Sequence, residues 1–425
     1  VSIDTEHTLQ ESARQIIADL RELARLTSTP EGAQRLAWGP VWLEAREWFR
    51  DKVRKELGLG VETDSAGNNW VTLPGESEKT VLVAGHLDSV PNGGWLDGVL
   101  GVLSGLGALR RLARRGRPPV TVRLVDWADE EGARFGRSLM GSSAAAGTLD
   151  LDKIRDLVDR DGVRLEDALR QCGVELANMP RAHQEFKRIP ARAYLELHIE
   201  QGPVLESLGK PAGVVLGTFG VERHRLKFVG QAAHSGSTPI PMRRDAFLAA
   251  AQTALECREI ARRHSKPGAN VVCTVGEVRV APGIVTAVPG ECEISLDQRA
   301  LDAGVLARML QEAREASQRF ARENNVSVEW TEVWRIEPRL FDPDLVRLCE
   351  EAVREATGDA PRLPSGPLHD AAEMVPFMPT VMMFAYSSGG LSHCKEEDTP
   401  EEHLEKTLQA FMLLVDKTVA HVASS

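Results

Sequence analysis

Apolar and polar positions along this chain follow two periods that switch in a regular order. Apolar residues recur at helical spacing over 9–26 and again over 40–57, the second stretch opened by Pro40, a favourable first helical residue. Short extended runs follow at 60–63 and 69–73, separated by the turn-forming Asp64-Ser65-Ala66-Gly67-Asn68. The unbroken run 81–84 has the length and β-branched content of a buried strand, 99–112 is a helix of small and apolar residues, and 120–125 is a second buried strand. Short helices are expected at 151–157, 165–171 and 204–208, with further strands at 193–199 and 212–216. Strand and helix alternating in this way predict an α/β unit with helices on both faces of a mostly parallel sheet.

The texture changes near Gly220. Strand 221–229, helix 244–263, strands 271–280 and 293–299, helix 301–321 and strand 326–334 form a strand-helix-strand-strand-helix-strand series, the order of a ferredoxin-like α+β sandwich. After Pro338 the first texture returns with helix 343–356, strand 380–385 and helix 401–415. The expected division is therefore 1–219 and 336–425 as two pieces of one domain, with 220–335 inserted between them.

Composition narrows the classes. A chain of 425 residues with 42% hydrophobic and 27% charged residues has the make-up of an ordinary globular protein. No apolar run reaches the length of a membrane span, and the start Val1-Ser2-Ile3-Asp4-Thr5-Glu6 lacks the basic and apolar regions of a signal peptide, so a cytoplasmic location is expected. A net charge of −11 argues against nucleic acid or an anionic membrane as partner. The six cysteines are scattered without a Cys-x-x-Cys pair, which speaks against a thiolate zinc site or a disulfide framework.

The chemistry-bearing residues cluster where strands end, which is where open α/β sheets bind ligands. The 81–84 run exits into Gly85-His86-Leu87-Asp88 and, beyond a glycine-rich loop, Asp97-Gly98. The 120–125 run exits into Asp126-Trp127-Ala128-Asp129-Glu130-Glu131, whose four acids repel one another unless a cation sits among them. Two later exits carry His198 and His393. His86, Asp97, Glu131, His198 and His393 form an inventory of nitrogen and oxygen donors that two ions sharing one carboxylate would use up. His86 and His198 serve one ion, Glu131 and His393 the other, and Asp97 lies between. Such mixed shells suit Zn²⁺, Mn²⁺, Co²⁺ or Ni²⁺. Glu130 is then the natural general base toward a metal-bridging water, and Asp88 could orient His86 through its second ring nitrogen. In the inserted stretch His234 stands in a small-residue turn, Thr286 in a Pro/Gly-bounded loop and Arg299 at a strand end. Each of these, taken singly, reads as turn chemistry or a surface ion pair.

The motifs Gly85-His86-Leu87-Asp88-Ser89-Val90-Pro91-Asn92-Gly93-Gly94 through Asp97-Gly98, Glu130-Glu131-Gly132-Ala133-Arg134-Phe135, Leu197-His198-Ile199-Glu200-Gln201-Gly202-Pro203, Ala233-His234-Ser235-Gly236-Ser237-Thr238-Pro239 with Arg244-Asp245-Ala246, and Leu391-Ser392-His393 recur together in one family. The chain resembles the hydantoinase/carbamoylase amidases, which include N-carbamoyl-L-amino-acid hydrolase, β-ureidopropionase and allantoate amidohydrolase, within the di-metal aminoacylases and exopeptidases. The resemblance implies a di-metal exopeptidase-like catalytic domain interrupted by a lid domain through which the chain forms a homodimer. It further implies that His234 is supplied across the dimer to an oxyanion, that Arg299 holds a substrate carboxylate, and that Gln201, Gly389 and Gly390 line the pocket. Thr286 departs from the asparagine the family commonly has there, and its shorter hydroxyl cannot reproduce both amide hydrogen bonds. The expected activity is hydrolysis of a C–N bond in a small carboxylate-bearing substrate, most naturally an N-carbamoyl-L-amino acid. Allantoate hydrolysis, aminoacylase or dipeptidase activity on the same scaffold, and a silent metal-binding protein are the alternatives.

Overall fold

A computed structural model describes residues 3–266 and 271–425. It divides into two compact units: one comprises the chain up to Leu216 with Phe341–Leu363 and His369–Ser425, the other Gly217–Leu340 with Pro364–Leu368.

Four parallel strands form the centre of the first unit, in the order Thr380–Ala385, Ala191–Ile199, Ser77–His86 and Val120–Trp127. Their registers place Met383 beside Leu197, and Val83 beside both Leu195 and Leu124. The flanks are antiparallel: Asn69–Leu73 and Val61–Thr63 continue the sheet beyond Val120–Trp127, and Ala212–Thr218 continues it beyond Thr380–Ala385. The sheet is therefore mixed rather than mostly parallel. The turn Asp64–Asn68 is too short for anything but a hairpin between its two strands, because a parallel pair needs a crossover.

Alternation along the central strands explains why both faces are covered. Val81, Val83, Val122, Leu124, Leu195, Leu197, Val381 and Met383 face one core, built with helices Ile3–Thr27, Pro40–Leu57, Val99–Arg114, Pro343–Thr357 and Glu401–Ser424. Leu82, Ala84, Val125, Trp127, Tyr194, Met382 and Phe384 face a second core with helices Met140–Ala146, Arg181–Lys187 and Asp370–Met374. Such side chains contribute roughly 1.5–3 kcal/mol each on full burial. Val99–Arg114 lies so close on the sheet that a Cβ at Gly101 would meet the Ala84 carbonyl oxygen at 2.6 Å and one at Gly85 the Val102 nitrogen at 2.6 Å. Because the four central strands run the same way, His86, Trp127, Ile199 and Ala385 all end at one edge of the sheet.

In the second unit five antiparallel strands form one sheet. Val272–Thr274, Glu291–Ala300, Gly220–Val229 and Ser327–Ile336 lie in that order, and Val278–Ala281 also pairs with Glu291–Ala300. Helices Ala246–His264 and Ala303–Glu323 cover one face, where Leu226, Phe228, Ile294 and Leu296 meet Ala249, Ile260, Met309 and Ala313. Asp245 and Asp302 cap the two helices by accepting from backbone amides. With the short strands Val272–Thr274 and Val278–Ala281 counted as one, the strands numbered along the unit lie 4-1-3-2, the ferredoxin-like order. The single strand expected over 271–280 is instead two, because the Ser295 hydroxyl takes the Gly276 and Glu277 amides at 3.2 and 3.0 Å and breaks the ladder. Among the described residues no helix is long and apolar enough to cross a membrane.

Candidate metal centre

The shared edge of the central strands gathers the predicted donors. His86 is the last residue of its strand, His198 the second-last of its own, and Asp97, Glu131 and His393 stand on the loops that follow. Donor atoms of His86, Asp97 and His198 lie within 4.8 Å of one another, and so do those of Asp97, Glu131 and His393. Asp97 belongs to both sets. Its Oδ1 is 3.0 Å from His198 Nε2 and 3.8 Å from His86 Nε2, and its Oδ2 is 3.3 Å from His393 Nε2. Glu131 Oε2 lies 3.4 Å from the same His393 nitrogen. The first set is buried, whereas His393 is half-exposed and opens the second to solvent.

The Nδ1 atoms of His86 and His198 lie against backbone carbonyls. His198 Nδ1 is 2.9 Å from the Ile199 carbonyl oxygen and His86 Nδ1 is 3.2 Å from that of Asp88, so each Nε2 is turned into the cluster. The Asp88 carboxylate is 3.6 Å from His86 Nδ1, beyond hydrogen-bond reach, and instead accepts the Glu130 and Glu131 amides at 3.3 and 3.1 Å. Asp88 therefore orients His86 through its backbone carbonyl, while its side chain fixes the turn that carries the two glutamates. Glu130 is buried with Oε2 3.8 Å from His86 Nε2.

Electrostatics show what the cluster is suited to hold. Burial first, then Asp370, Glu131 and Asp88, push the Glu130 carboxyl well above its usual range, and burial with Asp97 and Asp88 does the same to Glu131. Asp97, despite its burial, is held well below the carboxylate range by His198, His393 and His86. His198 is raised to about 9, burial notwithstanding, by Asp97. His86 Nε2 and Glu131 Oε1 are buried without a hydrogen-bond partner. Orphaned donor atoms among mutually repelling carboxylates are what divalent cations would relieve, so the residues present fit two ions sharing Asp97.

Residues 82–417 match peptidase family M20/M25/M40. The chain is 36% identical to an N-carbamoyl-L-amino acid amidohydrolase of Geobacillus stearothermophilus, covering 90% of this chain and 93% of that one. It is 33% identical to the allantoate amidohydrolase of Escherichia coli K12, over 90% and 92%. A solved hydantoinase/carbamoylase family amidase from Burkholderia multivorans superimposes with a TM-score of 0.85 at 30% identity, covering 97% of this chain and 98% of that chain. The chain belongs to this family, in its hydantoinase/carbamoylase branch. Family and donor set together make it a metal-dependent amidohydrolase.

Around this amidohydrolase's cluster stand further groups, two of which, Glu397 and His369, belong to none of the sequence motifs. Glu397, 2% exposed, accepts the Leu96 and Asp97 amides on Oε1 at 3.1 and 3.0 Å, and its Oε2 is 3.1 Å from the Ser392 hydroxyl. Burial and Asp97 raise it to about 7. Its place in the run Lys395-Glu396-Glu397-Asp398 gave it the look of a solvated acid. His369 packs against His198 with ring centroids 4.3 Å apart, and both its ring nitrogens are buried without a partner. Burial and His198 hold it well below the usual histidine range. Beneath the Glu130 turn, Arg46 Nε meets Asp126 at 2.8 Å, and the other Asp126 oxygen accepts the Leu87 amide at 2.9 Å. Gln201 sits on the cluster itself: its amide nitrogen donates to Asp97 Oδ2 and Ser392 Oγ, both at 3.0 Å, and is 3.2 Å from His393 Nε2. Gly389 and Gly390, at φ 63° and 65°, form a tight turn whose Gly389 amide donates to Glu206.

The remaining predicted residues belong to the second unit. His234 pairs in register with Ala287, so its turn and Thr286 are neighbours, and the Ser235 amide donates to the Thr286 carbonyl at 2.9 Å. His234 and Thr286 are both exposed. Arg299 Nε donates to Asp297 at 2.8 Å and its Nη1 to the Gly366 carbonyl at 3.1 Å, while Arg223 grips the same aspartate at 2.6 Å.

Proposed function

We propose that this amidohydrolase hydrolyses the carbamoyl C–N bond of a small carboxylate-bearing substrate, in first place an N-carbamoyl-L-amino acid, as a cytoplasmic homodimer. The observation that carries the reading is Asp97 shared between two donor sets with the buried Glu130 beside them. His86 and His198 would hold one ion, Glu131 and His393 the other, and Asp97 both, with Zn²⁺, Mn²⁺, Co²⁺ or Ni²⁺ suited to the donors. Two such ions supply Lewis acidity, which brings the pKa of water toward neutrality and polarises a carbonyl oxygen.

The chain's own groups carry the proton. Glu130 takes one from the attacking water and returns it to the leaving nitrogen. Asp88 keeps Glu130 in place through its amide. Arg299, whose Nε and Nη2 donate to Asp297 and whose Nη1 donates to Gly366, keeps one N–H on each Nη for a substrate carboxylate, and the exposed His234 of a partner copy serves the oxyanion. Gln201, Thr286, Gly389 and Gly390 contact the substrate. In this reading the second unit acts as lid and dimerisation domain.

The 33% identity to an allantoate amidohydrolase, with Thr286 in place of the common asparagine, supports allantoate as a second substrate. Ammonia release from both compounds, measured beside amine release from acyl amino acids and dipeptides, tests the order. Turnover confined to acyl amino acids or dipeptides would overturn it.

A further inference from the structure

A second cleft opens in the first unit, on the sheet face of Asn69–Leu73 and Val120–Trp127 near helix Arg181–Lys187. It encloses about 380 Å³ and its lining includes Glu62, Asp64, Trp70, Arg123, Phe186 and Arg188. The acids and bases in it are in opposite states. Asp64 accepts from the Ala66 and Asn68 amides, the Asn68 side chain and Trp70 Nε1, all within 3.0 Å. Glu185, also in the lining, accepts from the amide and hydroxyl of Ser65 at 3.0 and 2.6 Å. These two carboxylates are spent on the local turn.

Arg123 is not matched in the same way. Its guanidinium lies over the Trp70 ring at 5.0 Å, only 18% of its side chain is exposed, and its Nε is buried without a hydrogen-bond partner. Burial pushes its pKa down, against the pull of Glu62 and Asp64. The nearest carboxylate atom is 3.5 Å away on Glu62, which is 79% exposed and free to swing aside. Of the four buried arginines of this unit, Arg46, Arg110 and Arg111 each hold a carboxylate within 2.8 Å, and Arg35 donates instead to the Leu87 carbonyl and the Thr27 hydroxyl. Arg188, at the exposed rim, has no ion pair among the described residues. A guanidinium held over an indole face keeps planar N–H donors that suit a carboxylate in a bidentate pair. Phe186 and Ile189 add apolar wall, while the acids around the cleft disfavour a multiply charged anion.

We propose that this cleft binds a small monocarboxylate with an apolar body, its carboxylate on Arg123 and Arg188. The site is separate from the metal centre. The floor residue Trp70 packs edge-on against Trp127 at 5.3 Å, and Trp127 Nε1 donates to Tyr194, which donates to Glu196, so the ligand would rest at one end of a buried polar chain.

Crystals of the metal-loaded protein soaked with 4-bromobenzoate test this by bromine anomalous scattering, and equilibrium dialysis of the same probe gives its affinity in solution. The expected results are an anomalous peak in the cleft with the carboxylate on Arg123, and loss of one binding equivalent in Arg123→Met with affinity there down at least about tenfold. Arg123→Lys, which keeps the charge and loses the fork, should bind at an intermediate level. Inorganic phosphate should fail to compete. Bromine confined to the metal centre, a peak present at crystal concentration only, full competition by phosphate, or unchanged stoichiometry in a correctly folded Arg123→Met protein would each overturn the proposal.

Discussion

Gly98 is where a single methyl group should take one metal site away and leave the other. It precedes helix Val99–Arg114 at φ 68°, in the left-handed region that only glycine adopts freely. A Cβ built there would lie 2.2 Å from both Cε1 and Nδ1 of His86 and 2.4 Å from Nε2. Non-bonded atoms settle at about 3.5 Å, so the ring would have to retreat by at least about 1 Å. It has little room, being 1% exposed with Nδ1 against the Asp88 carbonyl. Metal ligands tolerate errors of only about 0.2 Å, so His86 should leave its set, while Asp97, Glu131 and His393 keep theirs. The positive-φ backbone, with ψ −47°, costs an alanine roughly 1–3 kcal/mol in addition. Gly116→Ala is the control for an alanine at positive φ without a clash, because Gly116 has φ 103° and nothing within 4 Å of its would-be Cβ among the described residues. Metal content after loading and dialysis, with circular dichroism to verify the fold, should show one tightly held ion in Gly98→Ala and two in Gly116→Ala. Two ions at wild-type affinity in Gly98→Ala would refute the claim that His86 is a ligand held in place by that glycine.

Four further outcomes are expected. Glu130→Gln should keep its metal content and lose roughly 10²–10⁴-fold in kcat, the range for a positioned acid–base group; turnover near wild type would remove the role from Glu130. Glu397→Ala leaves the buried Leu96 and Asp97 amides unpaired, at about 1–3 kcal/mol each, and should lower both the melting temperature and metal affinity, with Glu397→Gln milder; a wild-type melt in the alanine variant would contradict the geometry. Asp297 is lowered, against its burial, by hydrogen bonds from Arg299 and Arg223. Its folded value thus lies below the unfolded one, and its stabilisation is complete above the ordinary 3.8 and lost as the pH falls through the folded value. The stability gap between wild type and Asp297→Asn should accordingly narrow on titration from about pH 7 to about pH 2.5, and a constant gap would count against it. Removing the ions with a chelator should lower the melting temperature, because ions held at about 1,000 times their Kd add roughly 4 kcal/mol, and an unchanged melt would speak against tight binding.

The parts of this fold legible in the sequence were those set by strands buried on both faces. The run 81–84 has no polar position and 120–125 has only Thr121 and Arg123, and the exits of both could be found by reading on to the next histidine or acid. The antiparallel flanks were less visible because pairing direction depends on connections between short strands. Helix Met140–Ala146 escaped because it is buried all round and composed of small residues, which leaves no periodic stripe. The break in the 271–280 strand comes from Ser295, on a neighbouring strand.

At the site, the donors followed from spacing, but their supports did not. Glu397 reaches back to Leu96 and Asp97 across about three hundred residues, and Asp88 spends its carboxylate on two amides rather than on the adjacent histidine. Asp129, Gln201 and His393 adopt φ of 58°, 56° and 58°, a backbone choice for which side chains this size give no local signal. Strain of that kind gathers at functional sites and is maintained by the surrounding fold.

The most direct test of the central claim is a parallel measurement on protein loaded with Zn²⁺, Mn²⁺, Co²⁺ or Ni²⁺: bound metal per chain, and ammonia release from a panel of N-carbamoyl-L-amino acids. The account predicts two ions per chain and ammonia release that ceases when they are stripped and returns when they are restored. One ion or none per chain, or a fully loaded protein that releases no ammonia from any carbamoyl substrate or from allantoate, would contradict it.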